Sequence, residues 1–279
     1  MIQWIHSPAH KTVAHVVDRY WFLLKEHDSD IGVAYPELFP DTAAHLIIAP
    51  KKQEYKYTCE AITAKGAGSH WLFPHHHTYQ MDHSKPLVIV GVKFKVGALY
   101  SLNLPIRQPA VDQVCAVNLQ ELLDNLAVDE TELLEKARGS SEACCAVLDK
   151  ILLPWIKQGG DDKHAKLTQR ALSLFNDVPI SNLGEVLNCS QRTLERSFNR
   201  VTGLTLKQCK SINRLEMMLE QLYQKNAKEI DWADVAYEFG FSDQPHLIRY
   251  LKSSIGVTPG EYARQRNLTI DIYGGVGMS

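Results

Sequence analysis

Apolar residues near the C-terminus follow a helical spacing. Leu247, Leu251 and Ile255 recur every four residues, which places them on one stripe of a helix. Ser242 is the predicted N-cap, so Pro245 falls in the first turn, where its missing N–H has no intrahelical partner in any case. The opposite side of this predicted helix carries Pro245, His246, Arg249, Lys252 and Ser253. The pattern therefore predicts a short helix with a buried apolar face and a free, partly basic face.

Another short helix is predicted directly before this one, over residues 230–239. Asp231 is its predicted N-cap, and Ile230 and Val235 have the spacing of a hydrophobic staple. Residues 240–242 then form a glycine-containing turn. Two short helices around such a turn are typical of a helix-turn-helix, whose second helix enters the DNA major groove, although an ordinary helical hairpin has the same pattern.

The segment 180–209 repeats this plan. Leu194 and Phe198 correspond to Leu247 and Leu251 at a constant offset of 53 residues. Three arginines lie opposite them, one turn apart, and their positions are Arg192, Arg196 and Arg200. Such a face is usually only a solvated surface, but on the second helix of a repeated helix-turn-helix it favours contacts with phosphates and guanines.

Together the two units resemble the AraC/XylS family of bacterial transcription regulators over residues 167–266. The second unit, VAYEFGFSDQPHLIRYLKSSIGVTPGEYAR, is similar to the family signature. The first unit departs from it, with Asn188 where the turn often has glycine, and with Leu206 and Cys209 in place of the proline and tyrosine of SPxxY. Because asparagine tolerates the left-handed conformation, we expect the architecture to be retained.

The resemblance implies a set of DNA-binding residues. The family's base-reading positions fall on Arg192, Glu195, Arg196, Gln244, His246 and Arg249, and Asn199, Arg200 and Lys252 complete the predicted set. Lys252 is expected to act mainly on phosphate. The implied partners are double-stranded DNA and RNA polymerase, and the implied role is that of a transcriptional activator.

Strand patterns characterise the N-terminal part. Strands are predicted over 44–50, 54–62 and 86–99, and in the last of these Val92, Phe94 and Val96 alternate with Lys93 and Lys95, as in a half-buried strand. From 118 to 158 the apolar spacing becomes helical. We therefore predict an α+β chain: a small antiparallel β-sandwich or barrel with a helical hairpin, followed by an all-α domain of two helix-turn-helix units joined by a linker helix.

The predicted domain boundaries follow these patterns. An effector-sensing or dimerisation domain is expected over 1–158, a linker over 159–165, the DNA-binding domain over 166–267 and a tail over 268–279. The stretches DRYWFLL, FPDTAAHLIIAP and VGVKFKVGAL resemble a short sensor or dimerisation domain found ahead of AraC-type DNA-binding domains. The apolar stripe from Leu119 to Trp155 has two open interpretations, packing onto the sheet of its own chain and formation of a homodimer. The effector, a small molecule or a protein, is not identified.

Charge is distributed unevenly along the 279 residues. Residues 163–279 contain 15 Lys+Arg against 12 Asp+Glu, whereas residues 1–162 contain 15 against 20. The predicted DNA-binding half is thus the positive half, although the excess is small. We expect nonspecific DNA affinity to be weak and strongly salt-dependent.

Other functional classes lack their sequence signatures. The six cysteines form no Cys-x-x-Cys pair, which argues against a disulfide framework or a zinc finger. No phosphate loop, dinucleotide fingerprint or nucleophile elbow is present, so we expect no enzyme activity and no cofactor. Without a signal region or an apolar run of about 18 residues, the expectation is a soluble, cytoplasmic protein with no membrane contact.

A histidine-rich loop supplies the alternative function. Its ionisable residues are His70, His75, His76, His77, Asp82 and His83. Alternate residues of a strand share a face, so His75 and His77 could chelate a metal, and the chain could be a metal-dependent enzyme or metal sensor with an attached DNA-binding domain. Pro74 and the absence of a downstream glutamate argue against this reading, and we expect no metal.

Overall fold

The computed structural model describes residues 2–27, 34–102, 104, 106, 108–123, 129–226 and 229–265. It contains a part with two antiparallel sheets and a hairpin of helices, followed by an all-α part, so the predicted fold class is confirmed. The predicted tail 268–279 and Leu126 of the apolar stripe lie outside the described residues.

Ten strands form the two sheets in the described part of the chain. The larger sheet contains, in spatial order, β1 (Ile2–His6), β2 (Val17–Lys25), β9 (Leu87–Phe94), β4 (His45–Ile48), β7 (His70–Leu72) and β10 (Val114–Ala116). The smaller sheet contains β3 (Glu37–Leu38), β8 (Tyr79–Met81), β5 (Glu54–Thr58) and β6 (Thr63–Ala67). The three predicted strands contain β4, β5 and β9. The remaining strands were not predicted, and several of them are only two or three residues long, too short to show an alternating pattern.

The larger sheet has two covered faces. Val90, Val92 and Phe94 of β9 point to one side and are fully buried. The alternate residues Gly91 and Lys93 point to the other side, because successive side chains of a strand alternate. The prediction of a half-buried strand is wrong for Lys93, whose side chain is only 12% exposed.

The helices of the N-terminal part cover the first of these faces. They are α1 (Lys11–Val16), α2 (Leu119–Leu122), α3 (Glu130–Gly139) and α4 (Ser141–Gln158). Leu148, Leu152 and Trp155 of α4 are buried in the same core as the sheet, and the Trp155 ring lies 6.3 Å from that of Trp71. The buried residues of the apolar stripe thus pack onto the sheet of their own chain, as the first of the two interpretations has it, and the homodimer stays a prediction.

Seven helices form the described C-terminal part. They are α5 (Lys163–Ser173), α6 (Leu183–Val186), α7 (Gln191–Thr202), α8 (Leu206–Tyr223), α9 (Trp232–Glu238), α10 (Gln244–Ile255) and α11 (Pro259–Gln265). Because α5 begins at Lys163, only 159–162 of the predicted linker lack regular structure. In this part of the chain, as elsewhere among the described residues, no helix is both long and apolar enough to cross a bilayer.

α8 separates two small cores. Cys209, near its start, packs with Leu194 and Phe198 of the first unit. Its second half, from Leu215 onward, packs with Leu247 and Leu251 of the second unit. The equivalent apolar positions of the two repeats therefore bury against one shared helix, as their common spacing predicted.

The helix ends confirm two sequence predictions and correct one. Asp231 caps α9 by accepting hydrogen bonds from two backbone N–H groups, and Asn188 adopts a left-handed φ of 55°. The N-cap of α10 is Asp243 and not Ser242, because the Asp243 carboxylate accepts the backbone N–H of His246 at 2.7 Å. Pro245 is consequently the second residue of the helix, and still needs no intrahelical acceptor.

Candidate nucleic-acid interface

α7 has one buried and one exposed side. Ser190 caps the helix, and Leu194 and Phe198 are fully buried. The exposed side carries the five residues predicted for DNA contact, Arg192, Glu195, Arg196, Asn199 and Arg200. Glu195 accepts a hydrogen bond of 3.0 Å from the Gln191 amide one turn earlier. The structure therefore brings the predicted residues of the first unit together on one surface.

α10 presents a similar surface. Gln244, Arg249 and Lys252 are exposed, whereas His246 is only partly so. The His246 ring meets the Phe241 ring edge-on with 5.2 Å between centroids, and its Nδ1 atom lies 3.3 Å from the Ser242 hydroxyl. His246 is thus held against the turn, while the other three side chains point away from the core.

The second unit is attached to α8 through polar and aromatic contacts that the sequence did not reveal. The guanidinium of Arg214 lies 4.2 Å from the centre of the Phe241 ring and 4.7 Å from that of Tyr250. The Tyr250 hydroxyl donates a 2.6 Å hydrogen bond to the Ser211 carbonyl. These contacts hold α10 in a defined orientation on α8.

Most of the exposed arginines on these two surfaces have no partner within the described part of the chain. Within the described part of the chain, Arg192, Arg196 and Arg249 form no ion pair and no side-chain hydrogen bond. Arg200 differs, because its Nε atom donates a 2.9 Å hydrogen bond to the Tyr100 hydroxyl. That hydroxyl in turn donates to a carboxylate oxygen of Asp162 at 2.9 Å. Arg200 is therefore engaged by the segment that follows β9, a contact that helical periodicity could not predict.

Close packing accompanies this hydrogen bond between the N-terminal part and the first unit. A Cβ atom placed on Gly97 would lie 2.8 Å from Val201 of α7, and one placed on Gly203 would lie 2.3 Å from Val111. Both glycines have a positive φ of 75°, which side-chain-bearing residues rarely adopt. The two parts of the chain thus meet without room for an additional methyl group.

A cavity of about 140 Å³ lies on the second face of the larger sheet, where α8 forms part of its wall. The Nζ atom of Lys93 is 2.6 Å from the Glu216 carboxylate of α8 and 3.1 Å from the Asp41 carboxylate. His45 lies 3.0 Å from the same Asp41 oxygen. A buried ion-pair network therefore joins the sheet to the helix that carries both helix-turn-helix units.

Burial and charge shift the pKa values in this network in opposite directions. Burial would raise the pKa of Asp41, but Lys93 and His45 overcome it and hold this pKa well below the usual value. The two carboxylates likewise outweigh burial at Lys93 and raise its pKa. Glu220, one turn beyond Glu216 on α8, has a raised pKa because of its burial and the nearby Glu216. Lys93 and Asp41 are thus both charged at neutral pH.

The histidine loop does not bring together the pair of the alternative metal-binding interpretation, His75 and His77. His75 is fully buried, and its ring nitrogens lie 3.1 and 3.0 Å from the carbonyl oxygens of Phe73 and Phe39. His77 is exposed. His76 lies beside a carboxylate, with its Nδ1 atom 2.8 Å from Asp112. Because His75 is buried and hydrogen-bonded to the main chain whereas His77 is exposed, these two candidate ligands do not face a common point.

Another histidine of the loop, His70, belongs to the interior of the sheets. Its Nε2 atom lies 2.9 Å from the Tyr57 hydroxyl and its Nδ1 atom 2.9 Å from the Gly68 carbonyl oxygen. Burial lowers the pKa of His70 to about 4, so the ring is neutral at neutral pH. Among the residues that the structure describes, no group of three or more His, Cys, Asp or Glu is arranged to hold a metal ion.

Most of the C-terminal part matches a known protein family. A family model described as a helix-turn-helix domain, of the AraC type, matches residues 183–265. This match spans α6 to α11 and includes both surfaces described above.

The chain is similar to several solved structures, over most of its length or over about a third of it. ToxT from Vibrio cholerae, with an unsaturated fatty acid bound, is 14% identical over 94% of this chain and 96% of its own, with a TM-score of 0.44. An AraC-type transcriptional regulator from Chromobacterium violaceum is 23% identical over 36% of this chain and 92% of its own, with a TM-score of 0.32. The DNA-binding domain of AdpA, in complex with a target DNA, is 23% identical over 37% of this chain and 92% of its own, with a TM-score of 0.31.

Proposed function

We propose that this chain, a DNA-binding transcription regulator of the AraC family, reads its target with α7 and α10 in two successive major grooves. The observation that carries the proposal is the repetition of one surface: each helix buries its apolar side against α8 and leaves its polar, arginine-containing side exposed. Arginine matches both phosphate and guanine geometrically, so the two surfaces suit DNA.

The spacing of the two surfaces supports this geometry. α8 has 18 residues, and at about 1.5 Å per residue it is about 27 Å long. Successive major grooves on one face of B-DNA lie about 34 Å apart, so recognition helices packed near the two ends of α8 are separated by a compatible distance. The Arg214 contacts with Phe241 and Tyr250 limit rotation of the second unit about α8.

Within this proposal the exposed residues have different roles. Arg196 and Arg249 bind guanine edges bidentately, each in the middle of its helix, and Lys252 neutralises a phosphate. Arg192, Glu195, Asn199, Gln244 and His246 contribute further base or phosphate contacts. Arg200 joins them once it leaves Tyr100.

The proposed function of the N-terminal part, residues 1–158, is to control DNA binding. Its sheets contact α8 through the Lys93–Glu216 ion pair, and the segment after β9 contacts α7 through the Tyr100–Arg200 hydrogen bond. An effector that changes either contact would alter the position or the availability of a recognition surface. Recruitment of RNA polymerase, with activation as the outcome, is part of the same proposal.

Footprinting tests the docking geometry. Binding sites selected from random DNA would be probed with the full chain by hydroxyl-radical cleavage. We expect two protected segments about one helical turn apart for each bound monomer. Arg196→Ala should weaken protection of one segment and Arg249→Ala that of the other. A single protected groove per monomer would refute the proposal.

A further inference from the structure

The cavity between the sheets and α8 has an apolar, aromatic body. Trp21, Phe39 and Tyr57 line it together with aliphatic residues of both sheets. Gly91 leaves room for the Trp21 ring, since a Cβ atom at this position would lie 1.9 Å from the ring atom Cε2. A volume of about 140 Å³ is close to the roughly 150 Å³ of an engineered protein cavity that binds benzene. The body of the cavity therefore suits one aromatic ring.

The polar end of this cavity is acidic. The carboxylates of Asp41, Glu216 and Glu220 line it, against the two cations Lys93 and Arg19. Lys93 contacts two of these carboxylates, at 3.1 and 2.6 Å. The Nε atom of Arg19 lies 2.6 Å from a fourth carboxylate, that of Asp18 outside the cavity lining. Both cations are thus already matched by carboxylates. Two histidines also line the cavity: burial lowers the pKa of His83 to about 4, and His45 contacts Asp41 at 3.0 Å. Even with His45 charged, the four carboxylates outnumber the cations, and negative charge remains in excess.

Glu220 carries this excess. Its nearest cationic atom is the NH1 atom of Arg19 at 4.0 Å, and no group in the described part of the chain donates a hydrogen bond to it. Its side chain is 26% exposed, so it is partly removed from water. Burial and Glu216 raise the pKa of Glu220, and the opposing effect of Arg19 and Lys93 is too small to offset them, so these cations compensate its charge only in part. A ligand that donates hydrogen bonds and carries positive charge would compensate it.

We propose that the cavity binds a small arylalkylamine, with the ring in the aromatic body and the ammonium group beside Glu220. This inference rests on the function proposed above for the N-terminal part. An ammonium group forms charge-assisted hydrogen bonds with carboxylates and is also attracted to the faces of Trp21 and Tyr57. An anionic ligand would instead face the excess carboxylates and would have to displace Asp41 or Glu216 from Lys93.

Such binding acts directly on the helix that joins the DNA-binding units. Glu216 and Glu220 both project from α8, whereas the aromatic body belongs to the sheets and to the segment after β3. An amine held between them adds a contact across this interface. We therefore expect ligand binding to change the affinity for DNA, and DNA binding to change the affinity for the ligand by the same factor.

Thermal shift and calorimetry on the full chain, with three molecules of similar size, test the proposal. The probes are 2-phenylethylamine, the neutral 2-phenylethanol and the anionic 3-phenylpropanoate. We expect the amine to bind at least about tenfold more tightly than either of the others, because it alone compensates Glu220. Glu220→Gln should weaken amine binding by at least about tenfold. The matched control Glu60→Gln removes the same charge from an exposed loop outside the cavity lining and should leave the affinity unchanged.

Two results would overturn the inference: preferred binding of the carboxylate, or equal or absent binding of all three probes to the wild-type chain. Neither result depends on a variant, so a poorly folded Glu220→Gln protein leaves the test intact. DNA binding is measured separately, on selected sites and without ligand. A chain that binds DNA but no amine contradicts only the ligand assignment, whereas a chain that binds no DNA contradicts the proposed function.

Discussion

The Nε atom of Arg200 donates a hydrogen bond of 2.9 Å to the hydroxyl of Tyr100. Arg200 lies on the exposed side of α7, and Tyr100 belongs to the segment after β9. The hydroxyl is oriented by its own hydrogen bond to Asp162. The N-terminal part thus holds one cation of the proposed DNA surface, and DNA must compete with Tyr100 for it.

Tyr100→Phe is expected to strengthen DNA binding, because it removes the acceptor of the Arg200 hydrogen bond and keeps the ring. A net hydrogen bond of about 0.5–1.5 kcal/mol corresponds to an increase of about two- to tenfold in affinity. Fluorescence anisotropy at several salt concentrations measures it. In an Arg200→Ala background the same substitution should have no effect, and an equal gain in both backgrounds would contradict the competition.

Arg249→Ala should reduce discrimination as well as affinity. A bidentate guanine contact is worth about 1–3 kcal/mol, and its loss affects the selected site more than random DNA. Lys252→Ala, on the same helix, should weaken both DNAs by a similar factor and reduce the salt dependence. Competition binding with selected and random duplexes distinguishes base reading by Arg249 from phosphate contact by Lys252. If Arg249→Ala weakens both duplexes equally, Arg249 is a phosphate contact.

Tyr250→Phe should destabilise the attachment of the second unit to α8. The substitution removes the 2.6 Å hydrogen bond to the Ser211 carbonyl and the acceptor of a 3.2 Å hydrogen bond from the Ser211 hydroxyl, but it retains the ring that Arg214 contacts. We expect the free energy of unfolding to fall by about 0.5–1.5 kcal/mol in urea titrations. Tyr237→Phe is the matched control, since Tyr237 is 88% exposed on the neighbouring α9 and should tolerate the change. Equal stabilities of the two variants would show that the Ser211 contact contributes nothing.

Gly91→Ala should destabilise the larger sheet. The added methyl group would overlap the Trp21 ring at 1.9 Å, and overpacking of this kind costs about 1–3 kcal/mol. Gly139→Ala is the control, because a Cβ atom there meets no atom within 4 Å and alanine is the better helix former. Chemical denaturation of both variants gives the comparison. A Gly91→Ala protein as stable as wild type would mean that the Trp21 ring moves without cost.

The stability of the fold should decrease as the pH falls from 6.5 towards 4. His70 has a pKa of 6.5 when unfolded and of about 4 when buried, so between these values only the unfolded chain binds this proton. The slope from this residue approaches at most about 1.4 kcal/mol per pH unit. Denaturant titrations at several pH values measure it. His70→Gln should reduce the slope without abolishing it, because burial also lowers the pKa of His83 to about 4. The control His77→Gln, at an exposed position, should leave the slope unchanged. A wild-type profile that is flat over this window would contradict the assignment.

Local chemistry explains why the DNA-binding half was predictable. Leu194 and Leu247 could be recognised as equivalent because helical periodicity and glycine-containing turns are encoded within a few residues. The predicted N-cap of α10 was wrong by one residue. Both Ser242 and Asp243 are good capping residues, and only the backbone geometry selects one of them. The short strands β3, β7 and β10 carry too few residues for any period to be visible.

The sequence by itself determined the repeated helix-turn-helix plan, the apolar faces of its helices and the cations on their free sides, because each depends on neighbours within two or three turns. Only the tertiary structure decided that Lys93 is paired with Glu216, 123 residues away, and that Arg200 bonds to Tyr100, 100 residues away. Each of the three charged side chains among these is of a residue type that is usually exposed to solvent. Its partner is set by how the sheets dock on α7 and α8, and no local pattern records that docking.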